Sequence, residues 1–221
     1  MFKIISTCDV PHYLQSVCLT GEREAAATVN QNDEDRHEIH LFRVRSGNLL
    51  KTRTISLQHD CRGVAYHSDK LYITTWTDLH VYDITNGQSR QLHSDHTGMH
   101  TVHKCAVSTD GSLVFITNST HNQLITLNKD GTKLSTLTHP ELQNPVSLHV
   151  TPLGQMFVSC CGLDTVVQVV RMKDGKQTVK PMAGKRESLN KPIAVYFNNS
   201  HNTLVVGMGE NDNIVEVQLK P

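Results

Sequence analysis

Apolar and polar residues alternate in short runs along the whole chain, and the runs recur. Five begin at similar intervals: Ala25–Val29, Leu71–Thr75, Val114–Asn118, Met156–Cys160 and Leu204–Met208, with starts 46, 43, 42 and 48 residues apart. A second run follows each one: Ile39–Val44, Leu79–Ile84, Leu124–Leu127, Val166–Val170 and Ile214–Leu219. A third precedes each: Ser16–Leu19, Gly63–Tyr66, Lys104–Val107, Ser147–Val150 and Ile193–Phe197. Period-2 alternation over so few residues is the pattern of strands. No 3.6-residue periodicity competes with it.

Turn residues fall between the runs in register. Asp110-Gly111, Pro152–Gly154 and Ser200–Asn202 separate the first and second strands of three repeats. Ser46-Gly47, Asn86-Gly87, Asp130-Gly131 and Asp174-Gly175 follow the third. Such dipeptides favour two-residue hairpins, because glycine accepts positive φ. A fourth, more polar run comes after them, as in Gln88–His93 and Lys133–Thr138. Four strands every 40 to 48 residues predict an all-β fold, a β-propeller of four-stranded antiparallel blades. The repeats span approximately 11–57, 58–95, 100–139, 144–184 and 190–221, in a single domain over 1–221. The last repeat stops after its third strand. Phe2–Ser6 reads as a lone strand, either the missing fourth strand of the fifth blade or the outer strand of a blade upstream.

Charge narrows the function. The chain has 21 Lys plus Arg against 21 Asp plus Glu, a formal net charge of zero. A chain built mainly to neutralise nucleic-acid phosphates needs clustered positive charge. No run approaches the ~20 apolar residues that span a bilayer, and the N-terminus does not read as a secretory signal. Six cysteines without a CxxC pair therefore read as reduced thiols, and the chain as cytoplasmic.

Several stretches resemble the propeller of NHL-repeat, tripartite-motif-like proteins of the invertebrate, mollusc-type expansion. They are Cys8–Pro11, Cys61–Ala65 with Leu71–Thr74, Val102–Val107, Leu134–Thr138 with Pro140–Gln143, and His149–Gly154. The resemblance implies a six-bladed propeller, of which this chain matches the last five, with Phe2–Ser6 matching the outer strand of the absent first. It also implies a target-recognition module of a ubiquitin-ligase-type protein. The RING, B-box and coiled-coil segments of that family have no counterpart in this sequence. Ligase activity therefore does not carry over, and oligomerisation would come only through segments not in this chain.

Candidate chemistry is sparse. His93, His96, His100 and His103, with Asp95, are a weak metal candidate, since no helix fixes their spacing. Cys160-Cys161 has no cation beside it in sequence to lower a thiol pKa. The positions after the second strands, Asn30, Trp76, Asn118, Cys161 and Gly209, offer two amides and no carboxylate, a poor calcium site. This weakens the alternative of a lactonase-like hydrolase with a central divalent cation. Nucleophile elbows, phosphate loops and His-Glu-x-x-His are all missing. No cofactor is expected.

What remains is the rim of loops that enter each first strand, with Asp60, Arg62, His103, Lys104, Asn144, Asn190 and Lys191; Trp76 either anchors a partner there or packs between neighbouring blades. This mixture suits protein or peptide recognition, and RNA less well. The polar stretch from Asn30 to His37 reads as a solvated hairpin tip. The sequence thus predicts a non-catalytic binding platform.

Overall fold

The computed structural model describes residues 6–10, 13–31, 36–171, 177–211 and 213–219. The chain forms two compact units, Met1–Ser94 and Asp95–Pro221, and the boundary falls between the second and third repeats.

Unit 1 holds two antiparallel sheets, each a meander in sequence order. The first blade comprises β1 (Tyr13–Gly21), β2 (Glu24–Gln31), β3 (Arg36–Arg45) and β4 (Asn48–Leu57). The second comprises β5 (Gly63–His67), β6 (Lys70–Thr74), β7 (Asp78–Asp83) and β8 (Ser89–Ser94). The first strands, β1 and β5, lie side by side. Ala26, Ile39, Ile55 and Leu57 of the first blade close over Val64, Leu71, Ile73 and Tyr82 of the second, with Cys61 among them.

Unit 2 repeats the plan. The third blade is β9 (Lys104–Val107), β10 (Leu113–Asn118), β11 (Gln123–Asn128) and β12 (Lys133–Thr138). The fourth is β13 (Pro145–Val150), β14 (Met156–Cys160), β15 (Thr165–Arg171) and β16 (Gln177–Ala183). In the fifth, the described residues form three strands, β17 (Pro192–Asn198), β18 (Thr203–Met208) and β19 (Ile214–Gln218). A single 3-10 turn, Lys185–Glu187, is the one helical element among the described residues.

Why the second strands read as continuous apolar runs is visible at β14. All five of its residues are buried. Met156, Val158 and Cys160 face the third blade, against Phe115, Leu124 and Leu142. Phe157 faces the fifth, against Phe197, Leu204 and Val206. A strand covered on both faces needs apolar residues at both parities. The fourth strands, such as β12, are mostly exposed, which accounts for their polar composition.

The expected strands are present in order, and the fold class is the all-β propeller. The turns differ from expectation. Only Ser46-Gly47 is a two-residue hairpin among the described dipeptides: φ is 50° and 80°, and Arg45 pairs with Asn48. Gly131 instead closes a three-residue loop, its N–H donating to Asn128 O at 3.0 Å. Gly87 ends a wider turn, donating to Asp83 O at 2.9 Å. Glycine at positive φ suits all three, so the dipeptide does not fix loop length. A second two-residue hairpin, Ser68-Asp69, with φ of 47° and 60°, has no glycine and was not foreseen. Asp174-Gly175, Phe2–Ile5 and the centre of the polar tip, residues 32–35, lie outside the described residues. Ser6 belongs to no strand, and its Oγ accepts a hydrogen bond from Leu49 N at 3.1 Å.

Candidate functional site

The loop between β4 and β5 carries His59, Asp60, Cys61 and Arg62. Arg62 N donates to Thr74 O at 2.7 Å, extending the β5–β6 pairing by one residue. The chain beyond Thr74 turns tightly, because Thr75 Oγ1 accepts from Thr77 N at 3.2 Å and Asp78 N at 2.9 Å. That turn presents Trp76, and Arg62 lies over it with Cζ 4.1 Å from the ring centroid. Asp60 Oδ2 accepts from Arg62 Nε at 2.7 Å, and Asp60 Oδ1 accepts from Cys61 N at 2.9 Å. The guanidinium is thus held flat on the indole by a carboxylate, with the Arg62 side chain 18% exposed. Partial desolvation strengthens such a stack. Asp60, Arg62 and Trp76 of the predicted rim are brought together.

Beneath them lie residue types that could pass for a thiol hydrolase: Cys61, His37 and Asn30. Their wiring is structural. The Cys61 thiol donates to Asn30 Oδ1 at 3.2 Å, and His37 Nδ1–H donates to the same oxygen at 2.9 Å. Cys61 is fully buried, and burial pushes its thiol up to about 12. Without a thiolate there is no nucleophile. Asn30 is a staple: its Nδ2 donates to Cys61 O at 2.8 Å, and its Oδ1 accepts from Cys61 N at 3.2 Å. Asn30→Ala strands the Cys61 carbonyl in the interior, and thermal or denaturant melts should show a loss of about 2 kcal/mol. A loss near zero would mean that water replaces the amide.

In unit 2 the rim residues are engaged by their own neighbours. Ser119 Oγ donates to Pro145 O at 2.5 Å and so accepts from His103 Nδ1–H, 2.9 Å away. The His100 ring meets His103 edge-on, with centroids 5.0 Å apart. Lys104 is half-buried, and its backbone N–H donates to Thr117 Oγ1 at 3.1 Å. Asn144 donates its N–H to Asn122 Oδ1 at 2.7 Å and takes φ of 50°. Asn190 Nδ2 donates to Glu210 Oε2 at 3.4 Å. Lys191 is ion-paired with Glu210, and its N–H donates to Asp164 Oδ1 at 2.8 Å. The hydrogen bond from Lys191 holds the Glu210 carboxyl below its usual range, and Glu210 in turn raises the ammonium. Asp164 also takes Lys185 Nζ at 3.5 Å. The Lys191 charge is therefore offset by the Glu210 and Asp164 carboxylates.

His93 belongs to β8, whereas His96, His100 and His103 lie in unit 2. Among the described residues no three His, Cys, Asp or Glu side chains converge as metal ligands. Asn118, fully buried, accepts from His121 N at 2.9 Å. None of the six cysteines is in a disulfide. Lys191 does approach Cys161 in space, yet burial outweighs it and the thiol is raised. One feature of unit 2 had no signal in the sequence: a shallow open cleft of about 370 Å³ lined by His121, Asn122, Thr138, His139, Pro140 and Gln143.

Antiparallel four-stranded meanders with their first strands adjacent define a β-propeller. Among solved structures, a chain of a nidogen–laminin complex matches with a TM-score of 0.73 at 15% identity, covering 93% of this chain and 76% of that one. An auxiliary nutrient-binding protein from Bacteroides ovatus matches with a TM-score of 0.71 at 13% identity, covering 96% and 61%. A protein from Lactobacillus plantarum matches with a TM-score of 0.62 at 12% identity, covering 92% and 80%. At these identities the likeness is one of fold. No protein-family model matches the sequence, and no curated protein matches it.

Proposed function

We propose that this propeller is a non-catalytic, cytoplasmic binding platform that recognises a protein through the rim formed by Asp60, Arg62 and Trp76. The observation that carries the reading is the guanidinium of Arg62 stacked on the only tryptophan and held there by Asp60. Arginine and tryptophan, pre-ordered and partly desolvated, are the residue types that dominate protein–protein recognition. The zero net charge and the pairing of Lys191 with Glu210 put RNA second. The burial of Cys61, which leaves its thiol protonated, favours a role without covalent chemistry. One fold relative comes from a protein–protein complex and another is a binding protein. The resemblance to NHL-repeat, tripartite-motif-like propellers fits target recognition in the ubiquitin pathway.

The test is capture from cell lysate on the purified chain, with and without RNase, beside Arg62→Ala and Trp76→Leu. The expected partner survives RNase, and each substitution weakens its binding by roughly 30-fold, the scale of a hot-spot residue. A partner lost on RNase treatment makes RNA the target. Undiminished capture by both variants removes the rim from the proposal. Calcium should leave the melting temperature unchanged; a rise on titration would signal tight binding to the native state and revive the hydrolase alternative.

A further inference from the structure

Behind the rim of unit 1 sit two imidazoles that neither the core nor the binding reading employs. His59, in the loop between β4 and β5, stacks on His80 of β7, with ring centroids 3.9 Å apart and planes inclined by 17°. His59 Nδ1–H donates to the carbonyl oxygen of Asp60 at 2.8 Å, which leaves the lone pair on Nε2. That Nε2 is buried with no hydrogen-bond partner. A proton placed there finds no acceptor, and its charge sits against the other ring.

The neighbouring groups are few. On the strands beside β7, His80 pairs with Ile73 of β6 and Gln91 of β8, neither titratable. On its own strand Asp78 favours a charged ring, but that carboxylate is engaged by Thr77 at 2.8 Å and Gln91 at 2.9 Å. Burial, and then His59, outweigh it and hold the His80 imidazole below its ordinary value. Around the loop stand Asp60, Arg62 and, from β3, His37, whose Nδ1 is 3.7 Å from Asp60 Oδ1. A charged His37 would hold Asp60 in place, so it opposes any release.

We propose that the His59–His80 stack is an acid-operated latch on the binding rim. Protonation parts the two rings, draws the Asp60 backbone with His59, breaks the Asp60–Arg62 bond and frees the indole of Trp76. The rim then holds its partner at neutral pH and releases it in acid. The mechanical link is short: His59 to Asp60 O, and Asp60 Oδ2 to Arg62 Nε at 2.7 Å. Acid selects the parted state because a proton on either ring can be hydrated once the rings separate. The consequence for a partner rests on the proposed function; the conformational step does not.

Trp76 is the only tryptophan, so its fluorescence reads the step without a partner. Acrylamide quenching of Trp76 should rise as pH falls, with a midpoint below the ordinary histidine value of about 6.5, while far-UV circular dichroism stays unchanged. His59→Gln combined with His80→Phe should abolish the step, and His37→Gln should keep it. If the double variant does not fold, His80→Gln alone should move the midpoint up, since the opposing charge is gone. An identical step in the variants of His59 and His80, or no step in the folded wild-type chain, overturns the latch. Failure of the binding reading looks different: capture at neutral pH would persist in Arg62→Ala, while the wild-type chain keeps its quenching step.

Discussion

Phe157→Ala lowers the stability of unit 2 by about 3–5 kcal/mol, the range for removing a buried aromatic ring from a packed interior. Phe157 is 1% exposed and meets Phe197 across the fourth and fifth blades, with ring centroids 4.8 Å apart. Its other neighbours include Val166, Leu204 and Val206, all fully buried. Phe197, Val166 and Val206 are aromatic or β-branched side chains that cannot readily swing in to fill the resulting cavity. Denaturant unfolding should show a lower midpoint with an unchanged slope. Leu153→Ala is the matching control. Leu153 is 82% exposed at the β13–β14 turn, and its loss should change little. A Phe157→Ala loss below about 1 kcal/mol would mean that the two blades slide together and are not rigidly packed.

Phe157 also shows what the sequence made legible. Strand order followed from alternation and from turns at fixed offsets, because blade neighbours are sequence neighbours and each sheet is a meander. Alternation alone gives a strand one apolar face, whereas β14 is covered on both. Loop length was not legible: Gly47, Gly87 and Gly131 all take positive φ in turns of different size. Ser68-Asp69 turned without glycine, so nothing in its composition announced it.

The rim was half legible. Repeat register placed Asp60 and Arg62 at the start of one first strand and Trp76 at the end of the neighbouring second strand. It could not say that the side chains would meet, since that depends on the extra Arg62–Thr74 pairing and the Thr75 turn. The same register set Asn30 and Asn118 at equivalent positions, and both are buried amides that hold backbone. That shared role was available as a signal: an amide repeated at one site in two blades points to a staple before it points to a ligand. The Lys191–Glu210 pair and the His59–His80 stack join residues 19 and 21 positions apart by number, and no local pattern encodes them.

Acid will destabilise the fold chiefly through one group, His149. It lies on β13 with its ring 4.7 Å from that of Tyr196 on β17, and burial alone pulls its imidazole down from 6.5 to about 4. The folded chain therefore binds fewer protons than the unfolded chain as pH falls through the unfolded value. Stability contributed by the neutral ring is whole above about pH 6.5, drains away below it and is exhausted near about pH 4, a loss of about 3 kcal/mol for the shift involved. His80 adds to the loss in the same direction. His149→Phe keeps an aromatic ring beside Tyr196 and removes the proton. Unfolding free energies measured from about pH 7 to about pH 4 should fall less steeply in the variant, by most of that amount. Parallel curves for the two chains would mean that the folded ring is hydrated and titrates normally, and that the groove between β13 and β17 is open to water.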